Sequence, residues 1–207
     1  MPKNKLINSY QPGKIIASID ECGLGCLAGP AHAGVVVFPD FDDNPLWYNI
    51  NDSKKLSHKK REELDIYIKS IALDYEIISI SNNIIDDINI LQARYRLYHQ
   101  LIDNLRIKPD MILIDGDKFK IYMDENCEII PHVCIEKGDS KYVSIAAASI
   151  ISKVQRDKIM VELHDKYPMY NFKSNKGYGS KEHIDAINMY GVCPYHRLSF
   201  GICKRYK

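Results

Sequence analysis

The sequence predicts an α/β fold, a mixed sheet flanked by helices with a helical C-terminal portion. Three observations carry this reading. Two short β-branched runs follow one another near the N-terminus, strand-like and helix-like segments then alternate, and the last third is helical in pattern. With 207 residues, 45% hydrophobic and 27% charged, the chain is neither disordered nor membrane-embedded. No internal repeat, low-complexity tract or Pro/Ser-rich linker divides it. Residues 1–207 therefore read as one domain with a core from about 14 to 200.

The first strand is read over Lys14–Asp20 and the second over Ala31–Phe38, with the Gly-rich segment CGLGCLAGP between them. Ser57 caps a helix running to about Leu73. A third strand follows at Tyr75–Ile80. Asn89–Leu105 carries apolar residues at helical spacing, and Met111–Ile114 is a continuous apolar run stopped by Asp115-Gly116, as suits a strand buried on both faces. His132–Glu136 is the fifth strand. Two helices close the chain, a long one over Ser144–Tyr167 and a last one over Ser180–Tyr190, ended by Gly191 and Pro194.

The net charge is only +1, from 28 Lys+Arg against 27 Asp+Glu, which excludes a simple polycation. The total hides a skew. Residues 1–150 carry a net −5 and residues 151–207 a net +6, a skew that fits either a solvated surface helix with extra lysines or a backbone-tracking surface for a polyanion, and composition does not choose between them. The six cysteines, at 22, 26, 127, 134, 193 and 203, form no C-x-x-C and read as reduced structural thiols rather than zinc ligands. No run approaches the roughly 18 apolar residues of a spanning helix, and MPKNKLINSYQPGK lacks the apolar stretch of a signal peptide, so the expected address is the cytoplasm.

The acidic residues fall where strands end. Asp20-Glu21 ends the first strand, Asp115 the MILI strand, and Asp139 follows the fifth within KGDS. Carboxylates at the exits of apolar strands are poor stability devices unless a cation compensates them. An all-carboxylate site favours Mg²⁺ or Mn²⁺ over zinc, and two such ions about 3.5–4 Å apart can activate water and stabilise a leaving oxygen in phosphodiester hydrolysis. Successive strand residues point to opposite faces, so Asp20 and Glu21 share a site only if the strand twists or ends there, which Gly23 and Gly25 permit. The adjacent pair Asp124-Glu125 lies in a polar segment and reads as solvated hairpin surface.

With these residues in view, the sequence resembles ribonuclease HII, the bacterial type 2 ribonuclease H, from about Lys14 to Phe200. The family's DEAGRG-x-LAGP is here Asp20–Pro30, its DSKKLS is Asp52–Ser57, its strand-ending DG is Asp115-Gly116, and its KGD is Lys137–Asp139. SIAAASI-x-(A/S)-KV-x-RD is Ser144–Asp157, KGYG-(S/T)-KEH is Lys176–His183, and HR-x-SF is His196–Phe200. The resemblance implies an RNase H-like fold in which Asp20, Glu21, Asp115 and Asp139 bind two Mg²⁺ or Mn²⁺ ions. Asp20 would bridge both ions, Glu21 and Asp115 complete one, and Asp139 completes the other. It further implies cleavage of RNA in RNA/DNA hybrids and 5′ of ribonucleotides embedded in duplex DNA, leaving 3′-hydroxyl and 5′-phosphate ends.

Substrate recognition carries over with one departure. The family's Gly-Arg-Gly loop reads the ribose 2′-hydroxyl mainly with its backbone, and the tyrosine of KGYG packs on the adjoining deoxyribose. Gly23, Gly25 and Tyr178 match these positions, whereas Leu24 stands where the family has arginine. A charge-assisted contact worth about 1.5–3 kcal/mol is thereby lost, so cleavage with weaker or more salt-sensitive binding is expected. Lys54, Lys55, Lys153, Arg156, Lys176, Lys181 and Arg197 are the candidate phosphate-holding cations, with Asp157 orienting Arg156 or Lys153. The small residues of Ser144–Ser149 read as close helix packing.

Two rivals are weighed. A catalytically weakened hybrid- or RNA-binding module of the same fold would gain nothing from four acids facing phosphate. A metal-dependent phosphatase would want a phosphate-cradling G-x-x-x-x-G-K-(S/T), which is absent. The expected state is a monomer without an obligate protein partner.

Overall fold

The computed structural model describes residues 6–39 and 45–207. Five strands form one sheet: β1 (Ile16–Cys22), β2 (Ala31–Val37), β3 (Asp74–Ile80), β4 (Met111–Asp115) and β5 (His132–Ile135). Their order is β3-β2-β1-β4-β5, with β2 antiparallel to its neighbours and β4 parallel to β1 and β5. This is the mixed sheet expected. The helices are α1 (His58–Ile71), α2 (Asn82–Ile88), α3 (Ile90–Asp103), α4 (Val143–Lys166), the single-turn α5 (Phe172–Asn175) and α6 (Lys181–Tyr190). No helix among the described residues is long and apolar enough to cross a membrane.

Strand alternation assigns the two faces of the sheet. Ala17 and Ile19 of β1, Ala31, Ala33, Val35 and Val37 of β2, and Ile112 and Ile114 of β4 pack against Leu97, Tyr98 and Leu101 of α3. On the other face, Val36 of β2 joins Ile68 of α1 and Ala146, Ala147 and Ile150 of α4. The close packing expected of Ser144–Ser149 is what is found. A Cβ at Gly34 on β2 would come within 2.9 Å of the Ala148 carbonyl oxygen, so glycine and alanine together let α4 lie directly on the sheet. A third cluster, with Met160, Phe172 and Ile187 buried in it, knits α6 and the chain end to the far part of α4.

Two readings are corrected. The first strand runs through Glu21 to Cys22 rather than ending at Asp20, because β2 continues the ladder to the pair Cys22 and His32. A short helix, α2, also precedes the predicted Asn89–Leu105 helix. Ser81 starts α2, its hydroxyl accepting from the Ile84 amide at 3.4 Å. Asn89, at φ 65°, separates α2 from α3 and caps α3 by accepting from the amides of Leu91 and Gln92. Ser57 and Ser180 cap α1 and α6 as expected. The hairpin expected around Asp124-Glu125 is present as a bridge between Met123 and Ile129, with Asp124 held by Lys108 at 2.5 Å.

Candidate active site

Strand alternation also separates the two adjacent acids. Ser18 and Asp20 face α4, where the Ser18 hydroxyl donates to Ser144 at 2.8 Å. Glu21 faces α3, where the Tyr98 hydroxyl donates to its carboxylate. Neighbouring β4 carries Ile114 in register with Ile19, so Asp115 extends beside Asp20 on the α4 face. The single turn after β5 then brings in Asp139. Oxygens of Asp20, Asp115 and Asp139 all lie within 4.8 Å of one another, and Asp20 and Asp139 are each only 4% exposed. Glu21 stands outside this convergent trio while lining the same cleft.

The cluster is only partly compensated electrostatically. Burial raises the Asp20 carboxyl well above its ordinary value, and repulsion from Glu21 and Asp115 adds to the effect, while a hydrogen bond from Ser149 opposes it. Burial also raises Asp115, against the Gly138 amide that donates to it at 2.6 Å. Glycine at 138 leaves room for that approach, since a Cβ there would meet the tip of the Ile145 side chain at 2.6 Å and the Asp115 carboxylate at 3.3 Å and displace them. Burial raises Glu21 as well, opposed by Tyr98 and by the charge of Arg94. Among the described residues Lys54 alone offers a cation in direct contact, 3.3 Å from Asp139, and its side chain is 79% exposed.

Two buried carboxylates and the half-buried Asp115, without histidine or thiol among them, are a hard oxygen donor set, which fits Mg²⁺ or Mn²⁺. A divalent cation there would relieve both the burial cost and the mutual repulsion. The nearest thiol, Cys22, is pushed up to about 12 by burial and is a poor ligand. All six cysteines are free, as expected.

The cleft around the acids is open, with a volume of about 490 Å³, and Gly23, Leu24, Gly25, Lys153 and Tyr178 line it. Tyr178 is 47% exposed. Its loop is pressed against the glycine loop, with Leu27 and Ala28 donating their amides to the Gly177 carbonyl at 2.8 and 3.3 Å. Beneath, the buried imidazoles of His183 and His196 meet at 3.0 Å between their Nε2 atoms.

The structure overturns the reading of two basic residues. Arg156 and Arg197 are both 0% exposed. Arg156 donates to the carbonyls of Pro30, Lys176 and Ala28, and Arg197 to those of Gly29, Leu24 and Gly23. They are internal clamps on the loops, because a planar five-donor fork satisfies several inward carbonyls at once. With their carbonyls turned inward, the amides of Leu24 and Gly25 take no partner among the described residues. Asp157 accepts from Lys153 at 2.5 Å and lies 3.8 Å from Arg61, so it orients Lys153 and not Arg156. Lys55 pairs with Asp52 at 3.8 Å, and neither it nor Lys181 lines the cleft, although both are exposed; the Lys176 ammonium donates to the Lys173 carbonyl.

Gly23 sits at φ +81°, and a Cβ added there would collide with the Arg156 side chain. Gly23→Ala is expected to cost about 1–3 kcal/mol from backbone strain and overpacking and to displace the glycine loop. A thermal melt paired with an activity assay checks this, and a variant matching wild type in both would contradict it.

Sequence reasoning missed Tyr98, Ser149 and Arg94. The available signal was Tyr98 on the apolar face of α3, where a buried hydroxyl must find a partner. Ser149 is linked to Ser53 at 2.9 Å, which ties the Asp52–Ser57 segment to the acid cluster.

Comparison with known proteins gives one consistent result. A family model described as Ribonuclease HII matches residues 17–203. The chain is 45% identical over 197 residues to the ribonuclease HII of Christiangramia forsetii, covering 95% of this chain and 96% of that protein. It is 48% identical over 195 residues to that of Endomicrobium trichonymphae, covering 94% and 89%. Among solved structures it resembles the ribonuclease H2 from Pyrococcus horikoshii OT3, with a TM-score of 0.72, 26% identity and coverage of 92% and 95%.

Proposed function

The chain belongs to the ribonuclease HII family of metal-dependent endonucleases, and from that premise we propose that it cuts RNA within RNA/DNA hybrids and 5′ of ribonucleotides embedded in duplex DNA, leaving 3′-hydroxyl and 5′-phosphate ends. The observation that carries this reading is the convergence of Asp20, Asp115 and Asp139 in an open cleft beside a loop with free amides. Asp20, Glu21, Asp115 and Asp139 would hold two Mg²⁺ or Mn²⁺ ions, which when bound supply an activated water and charge stabilisation at the leaving oxygen.

The chain's own residues do the rest. Tyr98 fixes the Glu21 carboxylate, and Ser149 and the Gly138 amide orient Asp20 and Asp115. The free amides of Leu24 and Gly25 face the cleft, where a 2′-hydroxyl distinguishes RNA from DNA. Tyr178 offers an exposed ring to a neighbouring sugar, and Lys54 and Lys153 present positive charge to the backbone. No protein nucleophile is required. The reading includes a monomeric, cytoplasmic protein.

Cleavage-site mapping on three duplexes with Mg²⁺ or Mn²⁺ tests it. A full hybrid should be cut at many positions, a duplex with one embedded ribonucleotide should be nicked once on its 5′ side, and an all-DNA duplex should stay whole. An intact hybrid, or cleavage of the all-DNA duplex, would overturn the reading.

A further inference from the structure

The cleft continues past the acids on the side of α3, as a pocket of about 360 Å³. Leu24, Ile90 and Phe200 form its apolar wall, and Arg94, Lys118 and the exposed Asp117 supply its charge. Leu24 packs into the same apolar cluster as Ile90 and Phe200, so its side chain brings no cation to the glycine loop. Arg94 is the strongest base at this wall, and its donors are under-used. It forms no salt bridge among the described residues, its Nε is buried without a partner, and its one hydrogen bond, to the Lys118 carbonyl, is 3.4 Å long. Its guanidinium lies 5.7 Å from the Tyr95 ring centroid.

Its charge nevertheless reaches the active site, where it favours the ionised form of Glu21. A half-exposed arginine with spare donors beside an acidic centre suits a ligand that is itself anionic and held in a fork.

We propose that Arg94 grips a backbone phosphate of the nucleic-acid strand lying across Gly23–Gly25, as a substrate-binding residue on the flank opposite Tyr178. This rests on the reading of the cleft as a nucleic-acid site. The phosphate contact comes from a helix rather than from the loop, so it sits beside the amides of Leu24 and Gly25 without competing with them for the sugar.

The test is steady-state cleavage of an RNA/DNA hybrid across a salt series by wild type, Arg94→Ala, Arg94→Lys and Arg96→Ala. Arg96 is exposed on the same helix but takes no part in this wall. Arg94→Ala is expected to raise KM about tenfold with kcat within about twofold, and to reduce the slope of log KM against log salt by about one. Arg94→Lys should keep the salt slope while recovering only part of the KM, and Arg96→Ala should match wild type. Unchanged KM and slope in Arg94→Ala would overturn the proposal while leaving the ribonuclease reading intact. A fall in kcat at constant KM would overturn it too, by assigning Arg94 to holding Glu21. A wild type that leaves the hybrid whole would remove the ribonuclease reading and this proposal with it.

Discussion

Asp20→Asn is expected to reduce metal-dependent cleavage by at least about 10³-fold while making the metal-free protein more stable. The loss follows from the position of Asp20 in the convergent trio, since Lewis-acid stabilisation is worth several kcal/mol and each 1.36 kcal/mol is tenfold in rate. The gain follows from the same position. Asp20 is buried and its folded-state carboxyl is raised above the ordinary value of 3.8, by burial first and then by Glu21 and Asp115. The folded state therefore binds the proton more tightly than the unfolded chain, so stability is full at low pH and is lost as pH rises through the raised value. Asparagine keeps the shape and a hydrogen-bonding oxygen for Ser149 while removing the charge.

Relief of a buried, only partly compensated charge is worth about 2 kcal/mol, or roughly 4–8 °C in a chain of this size. The comparison must be made between variant and wild type at each pH, because burial lowers the pKa of His32 to about 3 and of His196 to about 4, and those groups act in the opposite direction on acidification. The stability gap should widen from about pH 4 to pH 7 in chelator and reverse in saturating Mn²⁺. Residual activity within tenfold of wild type would remove Asp20 from the centre, and a pH-independent gap would remove the electrostatic explanation.

Arg197→Ala is expected to destabilise the protein by about 5 kcal/mol, lowering the melting temperature by roughly 10–20 °C. Arg197 is fully buried, and its guanidinium serves the carbonyls of Gly23 and Leu24 at 2.7 Å and of Gly29 at 2.9 Å. Burial lowers its pKa to about 10, so it stays charged at neutral pH. Truncation leaves the inward carbonyls of Leu24 and Gly29 unpaired at about 1–3 kcal/mol each, leaves that of Gly23 with only the 3.4 Å turn bond from the Cys26 amide, and adds a cavity against Phe200, whose ring lies 5.1 Å from the guanidinium. Arg197→Lys should recover little, because an ammonium cannot serve three carbonyls in one plane. Thermal denaturation decides between this role and a direct phosphate contact. A variant melting within about 2 °C of wild type, with raised KM and altered salt response, would restore the phosphate-holding role read from sequence.

That contrast shows what sequence carried and what it could not. The five strands, most of the helices and the strand-end acids were legible because periodicity and turn chemistry are local. MILI is buried on both faces of the sheet, and Ser57 and Ser180 cap helices where expected. Alternation along β1 already implied that Asp20 and Glu21 part company, but not that β2 would prolong the strand through both of them. The fates of Arg156 and Arg197 were not legible. Their partners lie up to 174 residues away, and an arginine in sequence looks the same whether it meets phosphate or a buried carbonyl. Tyr98 likewise meets Glu21 across 77 residues, and α2 is too short to show a helical period.

The metal site proposed on Asp20, Glu21, Asp115 and Asp139 has the convergent trio at its centre, and Mn²⁺ titration followed by electron paramagnetic resonance, with wild type beside Asp20→Asn, Asp115→Asn and Asp139→Asn, tests that proposal without reference to turnover. Saturable Mn²⁺ binding by the wild type, lost or weakened at least tenfold in each variant, is the predicted result. Binding of Mn²⁺ by any of the three variants with the affinity of the wild type would contradict it.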